Sequence, residues 1–290
     1  MGSLDLSDSV VDGNSAGSDG GGIDLYDTPT TISRSTIDNN QGGRSGGGID
    51  HYRNTLTLNN VTVSGNSTSG NAASGGGIDN DSGLLIVDNS TLDHNSSSQQ
   101  GGGIYNESDS ISNLTNATLS ANVAITGGGI YNEAGFVDPA VITLTNVTLK
   151  DNRATAGGGI FNANDPLDFF FLKNTIIADS PSGGNCKGKP FTSSKYSLSS
   201  DMTCALAGAG NHNNTPAQLL ALANVGGPTK THLPKPTSPA VDGVGGSDCP
   251  GTDQRGFGRP VGASCDIGSV ERQLSDPAVV PILYLPLIVR

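Results

Sequence analysis

The sequence predicts an all-β fold, a parallel β-helix solenoid of about seven rungs closed by a non-repetitive, disulfide-containing C-terminal cap. Three observations predict it. The tripeptide Gly-Gly-Gly followed by Ile recurs at Ile23, Ile49, Ile78, Ile104, Ile130 and Ile160, at spacings of 26, 29, 26, 26 and 30 residues. Two apolar columns keep register with it: Leu6, Ile32, Leu58, Val87, Leu114, Leu144 and Leu172, and five residues later Val11, Ile37, Val63, Leu92, Leu119, Leu149 and Ile177. Asparagine recurs between the apolar segments at fixed offsets.

Each repeat breaks into three short stretches in which apolar and polar residues alternate, which is strand periodicity and not the 3.6-residue period of a helix. The first strand follows the glycines and the other two carry the two columns. The asparagines fall at three corners: Asn80, Asn106, Asn132 and Asn162; Asn60, Asn89, Asn116, Asn146 and Asn174; and Asn14, Asn40, Asn66, Asn95, Asn122 and Asn152. At a corner, Asn tolerates the left-handed backbone region and can bond its own image one rung away. Seven rungs would form a column roughly 34 Å long.

The composition fits this reading. The chain has 290 residues, 42 of them Gly, 4% aromatic residues and no Trp, and eighteen of the glycines are the six Gly-Gly-Gly steps. Such a composition excludes a helical bundle, and the sustained period excludes disorder. The net charge of -12 is confined to one end: residues 1–149 hold three basic and sixteen acidic residues, whereas residues 150–290 hold twelve and eleven. An acidic surface repels phosphate backbones and anionic lipid heads, so nucleic acid is not an expected partner.

The steps Gly127-Gly128-Gly129-Ile130-Tyr131-Asn132 and Gly157-Gly158-Gly159-Ile160-Phe161-Asn162 resemble the repeats of polymorphic outer-membrane proteins and related right-handed parallel β-helix proteins of bacterial surfaces. This resemblance covers about residues 4–180, taken as the β-helix. Residues 181–273 lose the repeat, hold all four cysteines, and carry Gly226-Gly227-Pro228-Thr229, Ser238-Pro239-Ala240-Val241-Asp242, Asp253-Gln254-Arg255-Gly256 and Cys265-Asp266-Ile267-Gly268. In that order they are similar to the end of the choice-of-anchor Q family of secreted bacterial proteins. The resemblance implies a secreted or cell-surface protein with a closing segment behind the coil. It brings no catalytic residues with it.

Four cysteines allow three pairings. Pairing of sequence neighbours, Cys186 with Cys204 and Cys249 with Cys265, would staple two loops, and an exported protein supports it. A zinc site is the competing reading, but no Cys-x-x-Cys is present. Met1-Gly2-Ser3-Leu4 runs into the first rung without the basic and apolar regions of an export signal, so the expectation is a start that lies upstream. The tail, residues 274–290, includes the run Ala278 to Arg290, which is too short and too proline-interrupted for a membrane span. It resembles the apolar-then-basic tails of some secreted bacterial proteins, and an edge strand along the column is the other expectation.

The candidate chemistry follows the glycines. The residue after each Gly-Gly-Gly-Ile faces outward, and that position holds Asp24, Asp50 and Asp79, then Tyr105, Tyr131 and Phe161. Three carboxylates stacked about 5 Å apart need solvent or a bridging cation, which makes this ladder the candidate calcium site. Pectate lyases resemble this in holding calcium on surface carboxylates of a β-helix. A lyase also needs a base, for which Arg53 and Arg44 are the nearest candidates, and a lyase or hydrolase site would join Asp50 and Asp79 to Arg53 or His51. The aromatic part of the column would form an exposed stack for sugar rings, or serve only to pack one rung on the next. An outward threonine rank, Thr36, Thr62, Thr91, Thr118 and Thr148, lacks the second threonine rank of ice-binding β-helices, because its neighbour is Asp38, Ser64, Asp93, Ser120 and Lys150.

The expected function is therefore adhesion or glycan contact by a non-catalytic surface protein whose partner is an extracellular polysaccharide or another surface protein. A polysaccharide lyase or glycoside hydrolase, calcium-dependent or not, is the alternative, and a structural spacer without a groove is the third reading.

Overall fold

The computed structural model describes residues 2–245 and 248–277. The expected tail segment 278–290 lies outside the described residues. The chain coils through parallel strands whose partners are always the equivalent strands of neighbouring turns, so three sheets run the length of the column. A glycine-led sheet of seven strands starts at Ile23–Tyr26 and ends at Cys186–Gly188. A broad sheet of eight runs from Leu4–Ser7 to Ser193–Lys195, and a threonine sheet of eight runs from Val10–Asp12 to Leu198–Ser199. The parallel ladder thus continues past residue 180, with Cys186 paired to Ile160 and Ser194 to Leu172.

The core is the set of columns read from the sequence. Ile49, Ile78, Ile104, Ile130 and Ile160 from the glycine-led sheet meet Leu58, Val87 and Leu144 from the broad sheet and Val63, Leu92, Leu119 and Leu149 from the threonine sheet, all fully buried. Each such side chain removed from water contributes about 1.5–3 kcal/mol, and stacking repeats of the same kind keeps the interior continuous.

Glycine leads one sheet for two separate reasons. Gly101 sits at φ +62°, a left-handed conformation that costs other residues energy. Gly103 has no room: a Cβ there would stand 2.5 Å from the Gly129 carbonyl oxygen of the next rung. The backbone of successive turns therefore meets directly at this step.

The three asparagine ranks do different work. Asn60, Asn89, Asn116, Asn146 and Asn174 hold φ of 50–56° and turn the chain between the broad and threonine sheets. The other two ranks point into the column as amide ladders. Asn40, Asn66, Asn95, Asn122 and Asn152 are buried, and each of the first four donates Nδ2 to the Oδ1 of the next, at 2.9 Å from Asn40 to Asn66 and 3.0 Å from Asn95 to Asn122. The same Oδ1 also accepts the backbone N–H of the asparagine one rung before, as Asn95 does from Asn66 at 3.0 Å. Asn80, Asn106, Asn132 and Asn162 form the second ladder, with links of 3.0, 2.8 and 3.0 Å.

The closing region has two parts. Cys204 and Leu206 join the hydrophobic core at the last turn, and a disulfide ties Cys204 to Cys186 with Cα atoms 4.7 Å apart. Residues 217–245 and 248–273 pack on Leu198 of the last rung and reach further back along the coil. They fold back along the outside of the threonine sheet, where the rank expected to face solvent is covered from Thr91 onward. Thr118 Oγ1 lies 2.6 Å from Gln254 Oε1, 2.9 Å from Thr231 Oγ1 and 3.0 Å from Ser269 Oγ, and Thr148 Oγ1 accepts from the Ser269 amide at 3.0 Å. A regular rank of hydroxyls offers a docking template to a strandless segment whose own Thr, Gln and Ser side chains match its spacing. The second disulfide, Cys249–Cys265, lies inside this segment, and Asp253, Arg255, Arg259 and Glu271 tie it internally through buried ion pairs.

The two kinds of asparagine separate by mutation. Asn95→Ala should lower stability by about 2–4 kcal/mol, because it strands donors and acceptors above and below it, whereas Asn60→Gly should stay within about 1 kcal/mol; chemical denaturation compares them. Thr118→Val should cost on the order of 1–3 kcal/mol and make residues 217–245 the first site of limited proteolysis while the coil stays intact.

Candidate functional site

On the glycine-led sheet two ranks of side chains face away from the core, because strand residues alternate. The first is the predicted column, in which Asp24 pairs with Asp50, Asp50 with Asp79, Asp79 with Tyr105, Tyr105 with Tyr131 and Tyr131 with Phe161. The second lies two residues on and reads Tyr26, Tyr52, Asp81, Glu107 and Glu133. The two ranks change chemistry in opposite senses. Acids give way to aromatics in the first where aromatics give way to acids in the second, so the carboxyl groups meet on a diagonal.

A cleft of about 300 Å³ opens at this crossing, lined by Asp24, Asp50, Asp79, Asp81 and Glu107, with Tyr26 and Tyr52 at one side and Asp19, Arg44 and Ser45 at the rim. The aromatic groups form two stacks at opposite corners. Tyr26 and Tyr52 have ring centroids 5.0 Å apart, while Tyr105, Tyr131 and Phe161 follow at 5.3 and 5.0 Å.

Burial and mutual repulsion push these carboxyls toward holding protons. The Asp50 carboxyl is raised to about 7, first by burial and then by the charges of Asp19, Asp24 and Asp81. Asp79, only 2% exposed, is raised well above the usual carboxylate range by burial, with Glu107 and Asp50 adding to it. Glu107 is raised by burial and by Asp81. Protons relieve the repulsion that a bridging cation would otherwise relieve. Among the described residues, no group of three His, Cys, Asp or Glu side chains converges as a metal ion would require.

Several expectations change here. Tyr105 and Tyr131 face outward yet are only 6% exposed, so they are not an open platform. Their hydroxyls are occupied: Tyr105 donates to Glu133 at 3.1 Å, and burial raises the Tyr131 phenol to about 12 beside Gln100 and Glu133. The open aromatic surface is instead Tyr26, at 71% exposure, with Tyr52 beneath it. His51 is not beside Asp50 and Asp79. It shares the inward face of its strand with Ile49, is fully buried, and heads the second amide ladder with Nδ1 2.7 Å from Asn80 Oδ1. Burial lowers its pKa, so it stands in the core as neutral imidazole.

Neither arginine is a free base. Arg44 lines the cleft but bonds Asp19 through Nε at 3.0 Å and Nη2 at 2.8 Å. Arg53 lies over the Tyr52 ring, 4.6 Å from its centroid, and does not line the cleft. Asp81, Glu107, Tyr26 and Tyr52 were not among the sequence-derived candidates. Counting two residues on from Asp24, Asp50, Asp79 and Tyr105 would have found them, since alternation puts position i+2 on the same face.

Among the described residues no helix is long and apolar enough to cross a membrane. Neither the comparison with curated proteins nor that with solved structures gives a match. A family profile described as right handed beta helix region matches residues 2–176. That match spans more than half of the chain and coincides with the coil seen in the structure; the chain belongs to the family of right handed beta helix regions.

Proposed function

We propose that the protein is a secreted or cell-surface β-helix that contacts extracellular glycan through the cleft between Tyr52 and Glu107, and that it binds without cleaving. The observation that carries this reading is the crossing of the two ranks, which sets proton-holding carboxyls beside an open tyrosine stack. A protonated carboxyl donates to a sugar hydroxyl and an ionised one accepts from it, while a tyrosine face takes the apolar face of the ring. Two disulfides support an oxidising compartment, and the likeness of the repeats and of the closing segment to bacterial surface proteins supports the same location. A protein partner in place of glycan would use the same face. Calcium has no necessary part in this reading, because protons already offset the repulsion.

One observation favours a second reading, cleavage of the glycan. A carboxyl raised to about 7, as Asp50 is, beside a second that burial raises well above the usual carboxylate range suits general acid–base work near neutrality. The two readings part in one experiment. Neutral and charged polysaccharides are titrated with the protein, with and without EDTA, and the same mixtures are assayed for new reducing ends or unsaturated products. The expected outcome is saturable binding that survives EDTA, falls at least about tenfold in Tyr52→Ala and in Asp81→Asn, and yields no product. Product formation would establish the cleavage reading; absence of binding to every glycan would end both.

The raised carboxyls also make stability depend on pH. An unfolded Asp50 loses its proton near 3.8 and the folded one near 7, so the folded state holds the extra proton between these values. Stability should therefore fall as pH rises from about 4 to about 7. Asp50→Asn should add on the order of 1–2 kcal/mol above pH 7, after allowance for solvent screening, and little at pH 4; thermal melts at the two pH values measure the difference.

A further inference from the structure

Within the reading that the cleft binds glycan, we infer that its ligand is cationic: a polysaccharide of amino sugars with free amines, whose ammonium group seats against the carboxyls that line the cleft. Four features lead to this class. The lining is one-sided, with carboxyls from Asp24, Asp50, Asp79, Asp81 and Glu107 and a single cation, Arg44, which is already neutralised by two bonds to Asp19. A uronic acid polymer would bring more negative charge into this lining, against the field of a half-chain with three basic and sixteen acidic residues. Asp79 is buried yet incompletely used: Oδ2 bonds the Ser74 hydroxyl, and Oδ1, on a residue that lines the cleft, has no hydrogen-bond partner among the described residues. Finally, the tyrosine stack already carries a cation on the outer side, where Arg53 lies 4.6 Å from the Tyr52 centroid. A tyrosine face in an acidic field suits a sugar ring that bears an amine.

The chemistry couples binding to protons. An ammonium entering the cleft favours the ionised carboxyls, so it would draw off the proton that Asp50 carries below about 7 and oppose the upward shifts of Asp79 and Glu107. Asp24 and Asp81 face the same space, and Arg44, the one basic group lining it among the described residues, is paired with Asp19. An N-acetylated sugar of the same shape keeps the stacking but lacks the charge, and displaces no proton.

Calorimetric titration of the full chain at pH 6 with three probes tests the inference: a β-1,4-linked glucosamine oligomer, its fully N-acetylated counterpart and an oligogalacturonate. The free-amine oligomer is expected to bind at least about tenfold more tightly than the acetylated one, with net proton release detected as different heats in buffers of different ionisation enthalpy. Asp79→Asn and Asp50→Asn should each erase most of that preference, and the proton release with it. Two variants are compared so that a folding defect in one, visible by circular dichroism, leaves the other informative. Equal or tighter binding of the acetylated oligomer, or tighter binding of the oligogalacturonate, overturns the cationic ligand and leaves the glycan reading standing. Binding of none of the three overturns the inference; the wider polysaccharide panel then decides whether the glycan reading falls with it.

Discussion

Everything in this protein depends on like stacking on like at the spacing of adjacent β-strands. The buried amide ladder makes that constraint strict. An Asn95 Oδ1 that accepts from both the amide and the backbone of Asn66 has one acceptable position per rung, and a slip of one residue would break two bonds at every turn. Hydrophobic columns alone also exclude a one-residue slip, which would turn the apolar set outward, but they tolerate a slip of two residues more easily than the ladder does. The ladder converts a repetitive sequence into a single register. Once register is fixed, whatever chemistry a position carries is propagated along the outer faces as a rank.

The outer faces show two uses of that propagation. On the threonine sheet a rank of hydroxyls becomes a docking strip for residues 217–273, whose Thr231, Gln254 and Ser269 meet Thr118 from outside. On the glycine-led sheet two ranks of changing character cross, and the crossing makes the cleft. The site is therefore not built by loops brought together from afar. It arises from substitutions at two positions of a repeat, and its geometry is inherited from the column.

This origin explains what the sequence makes legible. The periodic positions were readable because burial acts on each copy alike: the glycine steps, both apolar columns and the existence of the corners all follow from spacing. The division of labour among asparagines was not readable, since Asn60 at a left-handed corner and Asn95 inside a ladder are the same residue type at similar intervals. Contacts between repeat and non-repeat are equally hidden, because nothing in a threonine rank announces that a segment more than a hundred residues later will cover it. His51 misleads for a related reason: it replaces an asparagine of the ladder, and adjacency to Asp50 in sequence places it on the opposite face. The hydroxyl partner of Tyr105, Glu133, is equally hidden, because it comes from the next rung.

The clasp formed by residues 217–273 also divides the column mechanically. It grips the turns that contain Thr91, Thr118 and Thr148 through hydrogen bonds, whereas among the described residues the turns of Thr36 and Thr62 make no hydrogen bond to it. Unwinding under load would then proceed from the first turns and stall at the clasp. Asp50 and Tyr52 belong to the unclasped length, and Asp79 and Glu107 to the strands that run into the clasped turns. The cleft therefore straddles the boundary between the unclasped and the clasped length of the coil, and a ligand spanning both would pin one to the other.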